Sequence, residues 1–200
     1  MAATVVQVPA GEAERAAAPP VPGPADRWLA VLRIVMGFWF AKGVITKLTV
    51  VLLGGFLPAP AASARWHAVM PRLLRGYAAT TPIAWYHDFV LGVVLPHAGL
   101  FAQLTAFGEA AVGIGLLLGL LTPAAATVGL FLVLNYGLAT LGAGATQPGF
   151  HLVLATGMLA VLGAHAGRTW GLDGWWAARG VRRRQRAAAA PPPAGRGPSA

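Results

Sequence analysis

The chain has 200 residues, 56% of them hydrophobic and only 10% charged, with a mean hydropathy of +0.64. Soluble domains carry roughly 25% charged residues, so this composition excludes a soluble enzyme and a disordered chain alike. The net charge of +9 sits mostly at one end and suits an anionic membrane surface better than nucleic acid, while the absence of cysteine excludes disulfides, thiolate metal sites and dithiol-to-quinone chemistry.

Residues 1–25, rich in Ala and Pro, are expected to form a disordered tail and lack the continuous apolar run of a secretory signal. A first membrane span is expected over about 28–48, extending at most to Leu57, with Asp26 as N-cap and Trp28 as interfacial anchor. The mixed segment 58–88 is expected to be an outer loop holding one amphipathic interfacial helix near 62–76. Residues 89–167 then run with a single formally charged side chain, Glu109. A span needs about 20 apolar residues, and the punctuation at Pro96, Thr122-Pro123 and Gly142–Gly149 divides this stretch into spans at about 97–120, 123–142 and 149–166. Thr122 reads as N-cap, with Pro123 at the first helical position. Residues 176–200 read as a basic, Pro/Ala-rich disordered tail. The expected fold is all-α, an integral membrane four-helix bundle. Arg168, Arg179, Arg182, Arg183, Arg184 and Arg186 follow the last span and Arg27 precedes the first, which predicts both termini on the cytoplasmic side of the membrane.

Glu109 is the sharpest chemical feature. A charged acid at the middle of a membrane helix costs about 2.5–3.5 kcal/mol on insertion scales. It must be paired, protonated or facing a wet cavity, and it marks either a structural pair or a proton-transfer or quinone site. Arg33 and Lys47, on one stripe of the first span, are its candidate partners; Arg33 is near enough to the span's start to reach inward, and Lys47 could instead snorkel. Lys42 points the other way and reads as a snorkelling side chain. The small residues Ala111, Gly115 and Gly119, four apart, suit close helix packing. The loop residues Arg65, Trp66, His67, Trp85, Tyr86 and His87 combine cations with aromatics and could hold a small anion, or form an ordinary aromatic belt. His151 and His165 are 14 residues apart, but only His97 is available opposite them, so haem b is disfavoured and no metal-ligand cluster is expected. The Arg182–Arg186 cluster reads as a topology and lipid-binding signal.

Three stretches carry a family resemblance: L-R-I-V-M-G-F-W-F-A-K-G-V-I-T-K-L from Leu32, G-E-A-A-V-G-I-G-L-L-L-G-L-L-T-P from Gly108, and A-G-R-T-W-G-L-D from Ala166. Together they resemble the DoxX/DoxD family of four-helix membrane proteins. W-Y-H-D-F from Trp85, L-P-H-A-G-L-F-A from Leu95 and L-N-Y from Leu134 look closer to its DoxD-like branch, the small subunit of thiosulfate:quinone oxidoreductase. The resemblance spans residues 27–175. It matches Arg33, Gly37, Gly43, Lys47, Glu109, Gly119, Gly167, Arg168 and Asp173 to recurring family positions. It implies a multi-pass bundle in a bacterial plasma membrane, thiosulfate oxidation with membrane quinone as electron acceptor, and a DoxA-like partner subunit. The chain departs from the family at Pro123, where a basic residue would be expected. The rival readings are a non-catalytic anchor for soluble redox enzymes and a small proton-coupled transporter.

Overall fold

The computed structural model describes residues 22–189; the expected tails at 1–21 and 190–200 lie outside the described residues. The protein is mostly helical. Three of its helices are long and apolar enough to cross a membrane: α1 (Pro24–Lys47), α4 (Ala98–Leu118) and α5 (Thr122–Ala139). A fourth long helix, α6 (Thr146–Gly163), packs against α5 and α1, and α1 packs most closely on α4. α6 has a polar first turn, Thr146-Gln147-Pro148, which lowers its apolar character at that end.

α1 begins at Gly23, whose amide donates to Asp26 at 2.8 Å, so Asp26 acts from inside the first turn and not as the N-cap. Trp28 is 73% exposed, as an interfacial anchor would be. The buried residues of α1 are Ala30, Arg33, Met36, Gly37, Phe40 and Gly43, a stripe of period three to four that faces α4. The close approach of the two helices rests on Gly37 and Gly113. A Cβ on Gly37 would lie 2.6 Å from the Leu117 amide nitrogen, and one on Gly113 would overlap the Ala41 backbone. The expected small-residue stripe Ala111–Gly115–Gly119 is not this contact: Gly115 faces α5, Gly119 faces Arg33, and Ala111 is exposed. Met36, Phe40, Val112, Leu116, Leu132, Val133, Met158 and Val161 fill the space between the four long helices.

The apolar run after Lys47 does not continue α1. Leu48–Leu53 (β1) pairs antiparallel with Leu57–Ala62 (β2) in register Leu48↔Ala62 to Leu53↔Leu57. Gly54 and Gly55 turn the chain with φ of +63° and +84°, which glycine adopts without strain. The β-branched content of Leu-Thr-Val-Val-Leu-Leu, closed by Gly-Gly, favours a strand over a further helical turn. α2 (Ala64–Thr80) follows as the amphipathic helix of this segment, its first turn capped by the Ser63 hydroxyl, which accepts from the Trp66 amide. α3 (Ala84–Phe89) runs into a wide turn at Val90–Val94 before α4.

The tail expected from residue 176 is helical as far as Ala189: α7 covers Leu172–Ala189. Ala and Arg are strong helix formers, and Asp173 ties the start of α7 to the bundle. Its carboxylate accepts from the Leu121 and Thr122 amides, both at 2.8 Å. That contact also replaces the cap expected of Thr122, since Leu121 holds the N-cap position and the buried Thr122 hydroxyl has no partner.

Candidate functional site

Glu109 occupies the middle of α4 and is 7% exposed. Lys47, the last residue of α1, donates to Glu109 Oε1 at 2.5 Å, and the Tyr136 hydroxyl of α5 donates to the same oxygen at 2.7 Å. The Lys47 ammonium also lies 4.2 Å from the centre of the Trp66 ring. Trp66 is fixed in turn: its indole N–H donates to the Ala102 carbonyl and the Thr105 hydroxyl, both at 3.2 Å. The α4 carboxylate is thus held directly from α1 and α5, and α2 supports it through Trp66 against Lys47. Gly43 makes room for it, because a Cβ there would lie 2.5 Å from Glu109 Oε2.

Arg33, expected beside Glu109, is not there. It is fully buried at the other end of α4, where Nη1 donates to the Leu116 carbonyl at 2.5 Å and Nη2 to the Trp170 carbonyl at 3.1 Å. Longer contacts reach Leu117 and Thr169. Leu116 is seven residues beyond Glu109, about 10 Å along the helix. Arg33 is therefore a C-cap for α4 and a clasp for the turn before α7, satisfying carbonyls that the helix leaves open.

Two cavities meet at the Lys47–Trp66–Tyr136 group. The first, about 550 Å³, is the more polar of the two although most of its lining is apolar: Lys42, Lys47, Arg65 and His151 line it, with Glu109 the sole acid among its lining residues. Lys42, expected to snorkel away from the site, stands at its rim with its ammonium 3.7 Å from the Trp39 ring centre. The second cavity, about 590 Å³, is walled mainly by apolar side chains, including Leu74, Phe101, Leu104, Phe131 and Leu132. Leu104, Val128 and Phe131 are exposed, so this slot opens on the apolar flank between α4 and α5.

The six loop residues separate. Arg65 and Trp66 line the polar cavity, and Trp66 and Tyr86 line the apolar one. Tyr86 donates to the Asn135 side-chain oxygen at 3.1 Å, and burial raises its phenol above the ordinary range. His67, Trp85 and His87 line neither cavity; His87 Nδ1 sits 2.9 Å from Asp88. Sequence reasoning did not connect Glu109 with Tyr136, which donates to it, or with Lys42 and His151, which line the same cavity. The histidines bond locally, His97 to the Val93 carbonyl and His151 to that of Gln147. Among the described residues no three His, Asp or Glu side chains assemble into a metal-ligating group.

No family model, curated protein or solved structure matches the chain.

Proposed function

We propose that the protein is a four-helix membrane subunit of a sulfur-compound:quinone oxidoreductase, with thiosulfate as donor, membrane quinone as acceptor and both termini in the cytoplasm. The observation that carries the reading is the shared wall of the two cavities. On one side lies a cleft in which three cationic side chains and a histidine face one carboxylate, a balance suited to a small dianion. On the other lies a lateral slot whose apolar lining suits a quinone ring and whose open flank would let an isoprenoid tail pass. Lys47 and Tyr136, with Glu109 between them, stand where both ligands would end.

Each residue then has a task. Lys42, Lys47 and Arg65 hold the dianion. Two thiosulfates join through a sulfur–sulfur bond and release two electrons, and quinone takes up two electrons and two protons. Lys47 donates a hydrogen bond toward a quinone oxygen, while Glu109, held by the Tyr136 hydroxyl, passes the protons. Arg33 positions helices and takes no part in the chemistry. The two electrons pass from the sulfur adduct to quinone directly, or through a DoxA-like partner.

The test is thiosulfate-dependent reduction of a soluble quinone analogue by membranes containing the protein, alone and with a DoxA-like subunit. Turnover that Glu109→Gln abolishes is the expected result. Folded, inserted protein that reduces no quinone under either condition would refute it and favour an anchor for soluble redox enzymes.

A further inference from the structure

The β1–β2 hairpin carries no charged residue and is largely exposed: Val50 is 69% exposed and Leu52 61%. Its two edges are unlike. Pro58 and Pro60, opposite Leu52 and Val50, have no N–H to give, so the bonded pairs are Thr49↔Ala61, Val51↔Ala59 and Leu53↔Leu57. The Ser63 amide donating to the Lys47 carbonyl at 2.7 Å continues the same alternation. The outward groups of β2 are then Pro58, Pro60 and Ala62, and the Ala62 amide already donates to Gln103 Oε1 at 2.8 Å. That edge has no free donor.

The outward groups of β1 belong to Leu48, Val50 and Leu52. The Leu48 amide is used at the end of α1, donating to Val44, and the Leu52 carbonyl accepts from the Gly55 amide at 3.3 Å. What remains is two donors, Val50 and Leu52, and two acceptors, Leu48 and Val50. This set is its own complement. Placed antiparallel against an identical strand and centred on Val50, each Val50 amide meets the other Val50 carbonyl. Each Leu52 amide likewise meets the other Leu48 carbonyl. Four bonds form and no free group is left. Shifting the register by two residues either way leaves a donor unmatched.

We infer that β1 is the contact between two copies of this chain, giving a four-stranded sheet β2–β1–β1–β2. A lone two-stranded hairpin is marginal, whereas four strands with apolar faces are not. An open, uncharged edge is costly beside lipid and prone to pairing in water, so either setting drives the same contact. Copies inserted in the same sense share a two-fold axis along the membrane normal, which the pairing satisfies with the hairpin lying flat on the membrane surface. The inference is independent of the reaction proposed above.

The chain lacks cysteine, so single cysteines report cleanly. Full-length protein in membranes is oxidised with copper phenanthroline. In the two-fold register the Val50 Cα atoms lie about 5.5 Å apart, within disulfide reach. Val50→Cys is expected to convert the monomer band to dimer. Thr49→Cys and Val51→Cys alone are expected to stay monomeric, each lying about 7 Å along the strand from its counterpart, but to crosslink when the two variants are co-expressed. Val50→Pro, which removes one outward amide, should halve the particle mass in mild detergent while the helical circular dichroism is kept. Crosslinking at an α6 control, Leu159→Cys, but not at Val50 would overturn the proposal. So would a Val50→Cys protein that stays monomeric, whether lipid or another protein covers the edge.

Discussion

Removing the Lys47 side chain amine by Lys47→Met leaves Glu109 with one hydrogen bond, from Tyr136, in the middle of a membrane helix. The cost follows from the acid's insertion penalty, about 2.5–3.5 kcal/mol when unpaired. Glu109→Gln is milder: the amide still accepts from Tyr136, and Lys47 can turn its ammonium into the polar cavity. A lost hydrogen bond to a charged group is worth about 1.5–3 kcal/mol, so the lower figure applies. The double variant has neither an unpaired acid nor an unpaired amine and should cost about 1–2 kcal/mol, the net worth of ordinary hydrogen bonds. The singles sum to about 4–5 kcal/mol, which sets a coupling of about 3 kcal/mol between the two residues, large for a pair in contact. The assay is reversible unfolding in mixed micelles titrated with dodecyl sulfate, followed by circular dichroism, for the wild type and three variants. Additivity within about 0.5 kcal/mol would mean the residues do not interact, and the assignment of Lys47 as the partner of Glu109 would fall.

Gly43→Ala puts a methyl group against the Glu109 carboxylate and should cost about 1–3 kcal/mol as overpacking; replacing Glu109 by Ala in the same chain should relieve most of that loss in the same micelle assay. Gly113→Ala strikes backbone that cannot yield, so it should destabilise more than Gly43→Ala, and Glu109→Ala should not rescue it. Asp173→Ala removes the acceptor for two α5 amides, and a lost cap costs about 0.5–2 kcal/mol; the midpoint of unfolding should fall accordingly, with quinone reduction at saturating substrate unchanged. Tyr136→Phe keeps the ring and removes the donor to Glu109, so quinone turnover should drop while stability falls by about 1.5–3 kcal/mol, the range for a hydrogen bond to a charged group.

Glu109 was legible because one acid in 79 apolar residues has to be satisfied. Its partner was not. Arg33 and Lys47 share a helix stripe, and nothing in either helix alone fixes how far α1 slides along α4. The register is set by Gly37 meeting Leu116–Leu117 and Gly43 meeting Glu109, and that contact places Arg33 one end away. Leu48–Leu53 read as more of an apolar span because hydropathy does not distinguish strand from helix. Gly54-Gly55 and the alternating prolines carried the missing signal. The Arg-rich, Pro-flanked composition masked α7, whose sequence is amphipathic, and the Asp173 contact with the start of α5 ties down its first turn. Tyr136 and His151 entered the site through the packing of α5 and α6, which lies beyond any single helix's pattern.

The Arg33 clasp has a consequence for biosynthesis. Two of its acceptors, Thr169 and Trp170, lie 136 and 137 residues further along the chain. A ribosome delivers α1 long before it delivers them. Until that turn emerges, the buried Arg33 guanidinium has only the end of α4 to accept from it. The helices can enter the membrane one after another, but the assembly closes only when its last turn arrives. A chain cut short before Thr169 lacks both of the acceptors that Nη2 uses.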